Sequence, residues 1–366
     1  MTPARLDWPL REDYADRHGA IVERVARALG DRRLTNAAQV EELERAMAER
    51  TGAPFCVAMA SATSGMILAL KALVGDRPGV ILGPHFAFNA TVLAALWSGR
   101  PYVGLPVDPA TFNLCPKAVD EALQTREVAA VLAIGVAGNP AGLKCVEEVA
   151  AKAGAPFVVD AAPCLGSVGA LGDATVISLS ARKALPAGEG GLVLTRSSSL
   201  ADRLRRLRQY GSLDGYYCLE AGLNARMSEL HAAMALGCLP GLDNTLDRRR
   251  DFAEDLRGAL RALPGVTIQR VMAGEPPAWN DVLFRVSATV RETVVRRLRG
   301  LGLEAVTFYS PLVHAHPAFA GMEVDWQGRE EEQSLLASEM VGAPVHSGFG
   351  PDHVEAIASA VASSLA

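Results

Sequence analysis

Residues 156–196 read PFVVDAAPCLGSVGALGDATVISLSARKALPAGEGGLVLTR, and three short apolar runs in this stretch predict three β-strands. The first run, residues 157–159, ends at Asp160, and the second, residues 174–179, is followed by Lys183. A glycine-rich turn, GEGG at residues 188–191, leads into the third run. Ligands of open α/β sheets bind at the carboxyl ends of the strands. The stretch therefore predicts that a carboxylate and an amine share one ligand site.

A carboxylate and a lysine at one site suit pyridoxal phosphate. The Lys183 amine would hold the cofactor aldehyde as a Schiff base, and the Asp160 carboxylate would keep the pyridinium nitrogen protonated. Protonation makes the ring an electron sink for the carbanion formed during transamination. Taken singly, each residue is better explained as a strand-end aspartate or a solvated lysine. The combined pattern DAAxxLG, SxxxxK and GEGG favours cofactor binding.

Composition excludes several other classes of protein. The chain has 366 residues, 49% of them hydrophobic, and a net charge of −5, which argues against nucleic acid as a partner. No apolar run reaches the ~20 residues that a membrane span needs. Its six cysteines are scattered, with no histidine at ligand spacing, so they predict neither a metal site nor disulfides. We expect a cytoplasmic protein that binds neither membrane nor nucleic acid.

The order of apolar and amphipathic stretches predicts the architecture. Strand and helix patterns alternate through the first half of the chain, which predicts a mainly parallel sheet covered on both faces by helices. A long amphipathic helix from residue 243 begins a second region with a few more strands. We therefore expect a large α/β domain over residues 1–242, including N-terminal helices, and a smaller C-terminal α+β domain over residues 243–366. The acidic run at residues 330–332 is interpreted as a solvated loop.

Two further stretches carry candidate cofactor contacts. SATSG at residues 61–65 precedes an apolar helix, and its hydroxyl groups are typical of an ordinary helix N-cap or of a phosphate site. PHFAFNAT at residues 84–91 follows a strand, and Phe88 within it suits either core packing or a flat contact with a cofactor ring. The residues alone leave both alternatives open.

Together these motifs resemble the sugar aminotransferases of the DegT/DnrJ/EryC1/StrS family, which are enzymes of the aspartate-aminotransferase-like fold type I. The resemblance runs from LTN at residues 34–36 to PVH at residues 344–346. It implies a large domain with a seven-stranded sheet, Asp160 and Lys183 as catalytic residues, and pyridoxal phosphate that becomes pyridoxamine phosphate during turnover. It also implies that Thr63, Ser64 and Ser178 hold the cofactor phosphate.

Four more site residues are implied by the same resemblance. Phe88 stands where the family stacks an aromatic ring on the cofactor. GLNARMSELHAA at residues 222–233 is similar to a specific family motif, whose asparagine, here Asn224, reaches the phosphate of the neighbouring subunit in a homodimer. FYSPLVH at residues 308–314 is similar to a segment bordering the substrate cleft, which makes Tyr309 and His314 candidate substrate contacts.

The function that the resemblance implies is transfer of an amino group from glutamate or glutamine to a keto-sugar, nucleotide-linked, or to a keto-cyclitol. Such a step would serve the biosynthesis of amino sugars, glycans or antibiotics. Ala87, Pro163 and Ser180 depart from the residues common in the family, which leaves open a cofactor-binding protein without turnover, acting as a sensor or structural subunit. A pyridoxamine phosphate-dependent sugar dehydratase is a weaker alternative, because those enzymes have histidine in place of Lys183.

Overall fold

The computed structural model describes residues 17–213 and 216–365. These residues form eleven strands in two sheets: β1 (Phe55–Met59), β2 (Val80–Pro84), β3 (Tyr102–Leu105), β4 (Val128–Ile134), β5 (Phe157–Asp160), β6 (Ala174–Ser178), β7 (Gly191–Thr195), β8 (Thr267–Ile268), β9 (Asp281–Arg285), β10 (Glu323–Val324) and β11 (Met340–Pro344). They also form twelve α-helices: α1 (His18–Gly30), α2 (Ala38–Thr51), α3 (Ala62–Val74), α4 (Asn89–Trp97), α5 (Pro116–Thr125), α6 (Leu143–Lys152), α7 (Ser198–Leu207), α8 (Glu229–Cys238), α9 (Leu242–Arg261), α10 (Ala288–Gly300), α11 (Glu330–Glu339) and α12 (Pro351–Leu365).

The large sheet has the strand order β1-β7-β6-β5-β4-β2-β3-β10. Strand β7 runs antiparallel to both of its neighbours, and all the other pairs are parallel. The predicted fold class, a mainly parallel α/β sheet of fold type I, is confirmed. The sheet has eight strands where seven were expected, because the two-residue strand β10 joins the edge beside β3.

Helices cover both faces of this sheet, as the alternation of patterns predicts. Successive strand side chains point to opposite faces, so Val158 packs in one hydrophobic core and Val159 in the other. Helices α2, α5 and α6 contribute to the core around Val159, and α3, α4 and α7 to the core around Val158. Burial on both faces explains why the central strands are almost continuously apolar.

The buried Glu229 carboxylate ties the N-terminal helices to the body of the molecule. Its oxygens accept hydrogen bonds from the backbone N–H groups of Ala37 (2.7 Å), Gln39 (2.7 Å) and Val40 (3.3 Å). These N–H groups lie at the start of α2, where no intrahelical acceptor exists. The glutamate of the motif at residues 222–233 is thus a cap for another helix.

A second, antiparallel sheet has the order β11-β9-β8 and packs with α10 and α12 around its own core. All its residues follow residue 242, yet β10 from the same region belongs to the large sheet. The division into domains at residues 242 and 243 stays a prediction, and its ends at residues 1–16 and 366 lie outside the described residues. The interpretation of residues 330–332 as a loop is wrong, because they form the first turn of α11. No helix in the described ranges is long and apolar enough to span a membrane.

Candidate active site

A cavity of about 520 Å³ lies at the carboxyl ends of β5 and β6. Asp160 is the last residue of β5 and Ser178 the last of β6, and both line this cavity together with Lys183. The β9 side closes it with Asn280 and Asp281. The structure therefore brings together the carboxylate and the amine that the sequence placed at strand ends.

Asp160 is a buried carboxylate held by two donors. Asp160 is only 2% exposed, and its Oδ2 accepts a hydrogen bond from the Thr91 hydroxyl at 2.8 Å. Oδ1 accepts from the backbone N–H of Ala162 at 3.2 Å. Burial raises the pKa of Asp160, while the two hydrogen bonds and the Lys183 charge act in the opposite direction. A carboxylate that already accepts two hydrogen bonds can still accept another from a donor in the cavity.

Lys183 is half-buried and reaches into the same cavity. Its Nζ donates to the Asn280 Oδ1 at 3.4 Å. Burial lowers the pKa of Lys183, and the negative charges of Asp281 and Asp160 oppose that effect. A lowered pKa increases the fraction of neutral amine, which is the form that attacks a carbonyl.

The first turn of α3 forms one end of the cavity, through Ser61, Ala62 and Thr63. Backbone N–H groups in a first helical turn lack intrahelical acceptors and attract anions. Ser64 is not among the lining residues. Its hydroxyl donates to the Ser61 carbonyl oxygen at 2.9 Å and accepts from the Ser61 N–H, which makes it part of a capping box. Thr63 is thus brought to the cavity and Ser64 is not.

Ser178 lines the cavity from the end of β6, where its hydroxyl oxygen accepts from the Ser180 N–H at 3.3 Å. Phe88 is 59% exposed and borders the cavity just before α4. Tyr309 lines it as well and packs edge-on against Phe86, with 4.9 Å between ring centroids. Burial raises the pKa of Tyr309 well above its usual value, so the phenol stays protonated.

Besides Ser64, two predicted site residues do not line the cavity in this chain. Asn224 is exposed and does not line the cavity, and its Oδ1 accepts from the Arg226 Nε at 3.0 Å. His314 packs against Trp326, with 5.2 Å between ring centroids, and is not a lining residue. Burial lowers the pKa of His314.

Thr91, Asn280 and Asp281 contribute to the site and were not predicted as site residues from the sequence. Thr91 ends the PHFAFNAT stretch, and its spacing from Phe88 was the available signal. Asn280 is 97 residues from Lys183 in the chain, and no local pattern marks it or Asp281. Asp281 is 3% exposed, and burial raises its pKa to about 6.

The groups around the cavity fit pyridoxal phosphate. An amine suits the aldehyde, a buried carboxylate suits the ring nitrogen, and a helix N-terminus with nearby hydroxyl groups suits the phosphate. The volume lies within the range of pockets that enclose small cofactors. The arrangement can therefore hold an electrophilic cofactor beside a lysine that accepts and releases protons.

Comparisons with known proteins show the family to which this chain is similar. The model of the DegT/DnrJ/EryC1/StrS aminotransferase family matches residues 16–362. The erythromycin biosynthesis sensory transduction protein EryC1 of Saccharopolyspora erythraea is 31% identical over 345 residues, covering 92% of this chain and 93% of that protein. The dTDP-3-amino-3,4,6-trideoxy-alpha-D-glucose transaminase of Streptomyces venezuelae is 30% identical, covering 92% and 89%. The crystal structure of S. venezuelae DesV in complex with a ketimine intermediate superposes with a TM-score of 0.90 at 26% identity, covering 98% of each chain.

Proposed function

Because the chain belongs to the DegT/DnrJ/EryC1/StrS aminotransferase family, we propose that it transfers an amino group from glutamate or glutamine to a nucleotide-linked keto-sugar. Two of its relatives are named as transaminases of dTDP-linked amino sugars. A dTDP-linked keto-sugar is therefore the first acceptor to test.

The observation that carries this proposal is the shared cavity of Asp160 and Lys183. When bound there, pyridoxal phosphate supplies an aldehyde for the lysine and an electron-withdrawing ring. Asp160 would hold a proton at the ring nitrogen, because the buried carboxylate has acceptor capacity left beyond its two hydrogen bonds. Thr91 and the Ala162 N–H keep that carboxylate oriented.

Lys183 has two tasks in this scheme. It would hold the cofactor through its amine, and it would move a proton to and from the substrate carbon as a general base. Phe88 would pack against the ring, and the α3 N-terminus with Thr63 and Ser178 would hold the phosphate. Tyr309 borders the space left for the sugar. In the homodimer we infer, Asn224 serves the neighbouring subunit's phosphate.

The test is direct measurement of amino transfer. The purified protein is loaded with pyridoxal phosphate and incubated with glutamate or glutamine and a panel of dTDP- and UDP-linked keto-sugars. Mass spectrometry then detects conversion of a keto-sugar into its amine, with Lys183→Ala as the matched inactive control. Cofactor binding without transfer to any member of the panel would count against the proposal and favour a cofactor-binding protein without turnover.

A further inference from the structure

A second buried carboxylate faces the cavity, and the scheme above does not use it. Asp281 opens β9 of the second sheet and lines the same cavity as Asp160. Its Oδ2 accepts a hydrogen bond from the Asn280 Nδ2 at 2.7 Å. The Oδ1 of the same Asn280 amide accepts from the Lys183 Nζ at 3.4 Å. The three side chains form a chain of two hydrogen bonds, from the lysine amine through the asparagine amide to the aspartate carboxylate.

The donor and acceptor groups at the two ends fix the orientation of the Asn280 amide in this chain of hydrogen bonds. An ionised carboxylate can only accept hydrogen bonds and a lysine ammonium can only donate them. The Asn280 amide must therefore turn its NH₂ group to Asp281 and its oxygen to Lys183, which is the orientation observed. Either reversed end would leave two donors or two acceptors face to face. The amide thus links the two side chains, and the Asp281 charge favours the protonated form of the lysine amine through it.

We propose that Asp281 is a positioning residue for Lys183: through the Asn280 amide it orients the lysine amine in the cavity and increases its affinity for a proton. This inference rests on the proposed function, since it assigns to Asp281 the tuning of the group that anchors the cofactor. Asp160 is committed to the ring nitrogen, so a second anion is required if the lysine charge is to be balanced in a partly desolvated cavity.

The surroundings of Asp281 are consistent with an ionised state at neutral pH. The cationic side chains of Lys183, Arg182 and Arg249 lower its pKa, and the Asn280 hydrogen bond does the same. Burial is the larger effect and leaves the pKa at about 6, so the carboxylate is charged above that pH. The nearby Tyr309 phenol stays neutral in this range because its pKa is raised.

The experiment measures the pKa of Lys183 in the cofactor-free protein. Acetic anhydride labels neutral amines, and its rate of reaction at Lys183 as a function of pH, followed by peptide mass spectrometry, gives that pKa. Asp281→Asn removes the charge and keeps the shape. Losing this opposite charge is expected to lower the Lys183 pKa by about one pH unit. The exposed Lys152 in the same samples is the internal reference and should not change.

A second variant tests the amide itself. Asn280→Ala removes the link at a position that is only partly buried, and should by itself lower the Lys183 pKa. In the Asn280→Ala background, Asp281→Asn should have a smaller effect than in the wild type, since contacting residues act non-additively. An unchanged Lys183 pKa in Asn280→Ala would overturn the proposal, even where Asp281→Asn fails to fold. Equal effects of Asp281→Asn in both backgrounds would overturn the role of the amide.

These outcomes are independent of turnover. Because labelling is done without cofactor or substrate, a protein that transfers no amino group can still display the Lys183 shift, and that result would refute only the proposed function. A protein that transfers amino groups with an unshifted Lys183 pKa would refute only the role of Asp281.

Discussion

The Thr91 hydroxyl offers the sharpest perturbation of the candidate site. Thr91 is fully buried in α4 and donates to the Asp160 Oδ2 at 2.8 Å. Thr91→Val keeps the branched shape and removes only the donor. Because Asp160 is 2% exposed, water cannot replace the lost hydrogen bond. We therefore expect the carboxylate to lose stabilisation of its charged form while the fold is retained.

The size of the effect follows from the charge on the acceptor. A hydrogen bond to a charged group contributes about 1.5–3 kcal/mol. At about 1.4 kcal/mol for each pKa unit, its loss should raise the pKa of Asp160 by about 1–2 pH units. Since the ionised carboxylate is the form that keeps the ring nitrogen protonated, activity is lost below the pKa. The acid limb of the rate profile should therefore move to higher pH by the same amount.

The assay is kcat/KM for amino transfer as a function of pH in the wild type and in two variants. Thr91→Val should shift the acid limb and approach wild-type rates at high pH, while Thr91→Ser, which keeps the hydroxyl, should leave the limb near its wild-type position. An acid limb that stays in place in Thr91→Val would refute the role of this hydrogen bond. Equal shifts in both variants would assign the effect to packing rather than to the donor.

Three other predictions follow from the same contacts. Lys183→Ala, with circular dichroism unchanged, should retain no visible absorbance after incubation with pyridoxal phosphate and dialysis; retained borohydride-reducible cofactor would contradict the assignment. Mixing Lys183→Ala with Asn224→Asp and allowing subunits to exchange should restore about a quarter of wild-type activity, because half of the dimers are mixed and each has one intact site; exchange without recovery would contradict a shared site. Burial lowers the pKa of His85 to about 4. The folded protein therefore favours neutral histidine, and this contribution to the free energy of unfolding is fully present above the usual histidine pKa of about 6.5. About 3 kcal/mol of the free energy of unfolding is lost as the pH falls from there toward 4. Thermal unfolding of His85→Gln should be less sensitive to pH over this window than the wild type, and the exposed-histidine control His18→Gln should follow the wild type.

Local sequence patterns were sufficient for the strands that build the site. The apolar runs at residues 157–159 and 174–179 match β5 and β6, because strands buried on both faces need almost every residue to be apolar. Asp160 at the end of such a run was conspicuous for the same reason. Glu330, Glu331 and Glu332 misled because their side chains are solvated, as expected, while their backbone begins a helix. Acidic residues are favourable in that first turn because of the helix dipole.

The predicted phosphate site shows how much a sequence motif can and cannot specify. The SATSG pattern identifies a helix start, but it does not say which hydroxyl faces the ligand. A capping box engages the hydroxyl groups three residues apart, Ser61 and Ser64, and leaves Thr63 on the cavity side. Which of the two adjacent residues contacts the ligand depends on side-chain rotamers, so the assignment of Ser64 to the phosphate stays a prediction.

The two carboxylates beside Lys183 show why half of this site was hidden from the sequence. Asp160 stands at the end of an apolar strand of the large sheet, whereas Asp281 opens a strand of the second sheet and is recognisable only when the sheets are packed together. The two carboxylates have different hydrogen-bond partners, and we therefore assign them different roles. Asp160 is held by a neutral hydroxyl and an N–H group, which leaves its charge for the cofactor ring. Asp281 is joined to Lys183 through Asn280. If Asp160 serves the ring nitrogen, the proposed role of Asp281 is to balance the charge of the Lys183 ammonium, because a partly desolvated cation without an anion is costly. Asp281 comes from the C-terminal part of the chain, so packing of that part against the large sheet should itself change the pKa of Lys183.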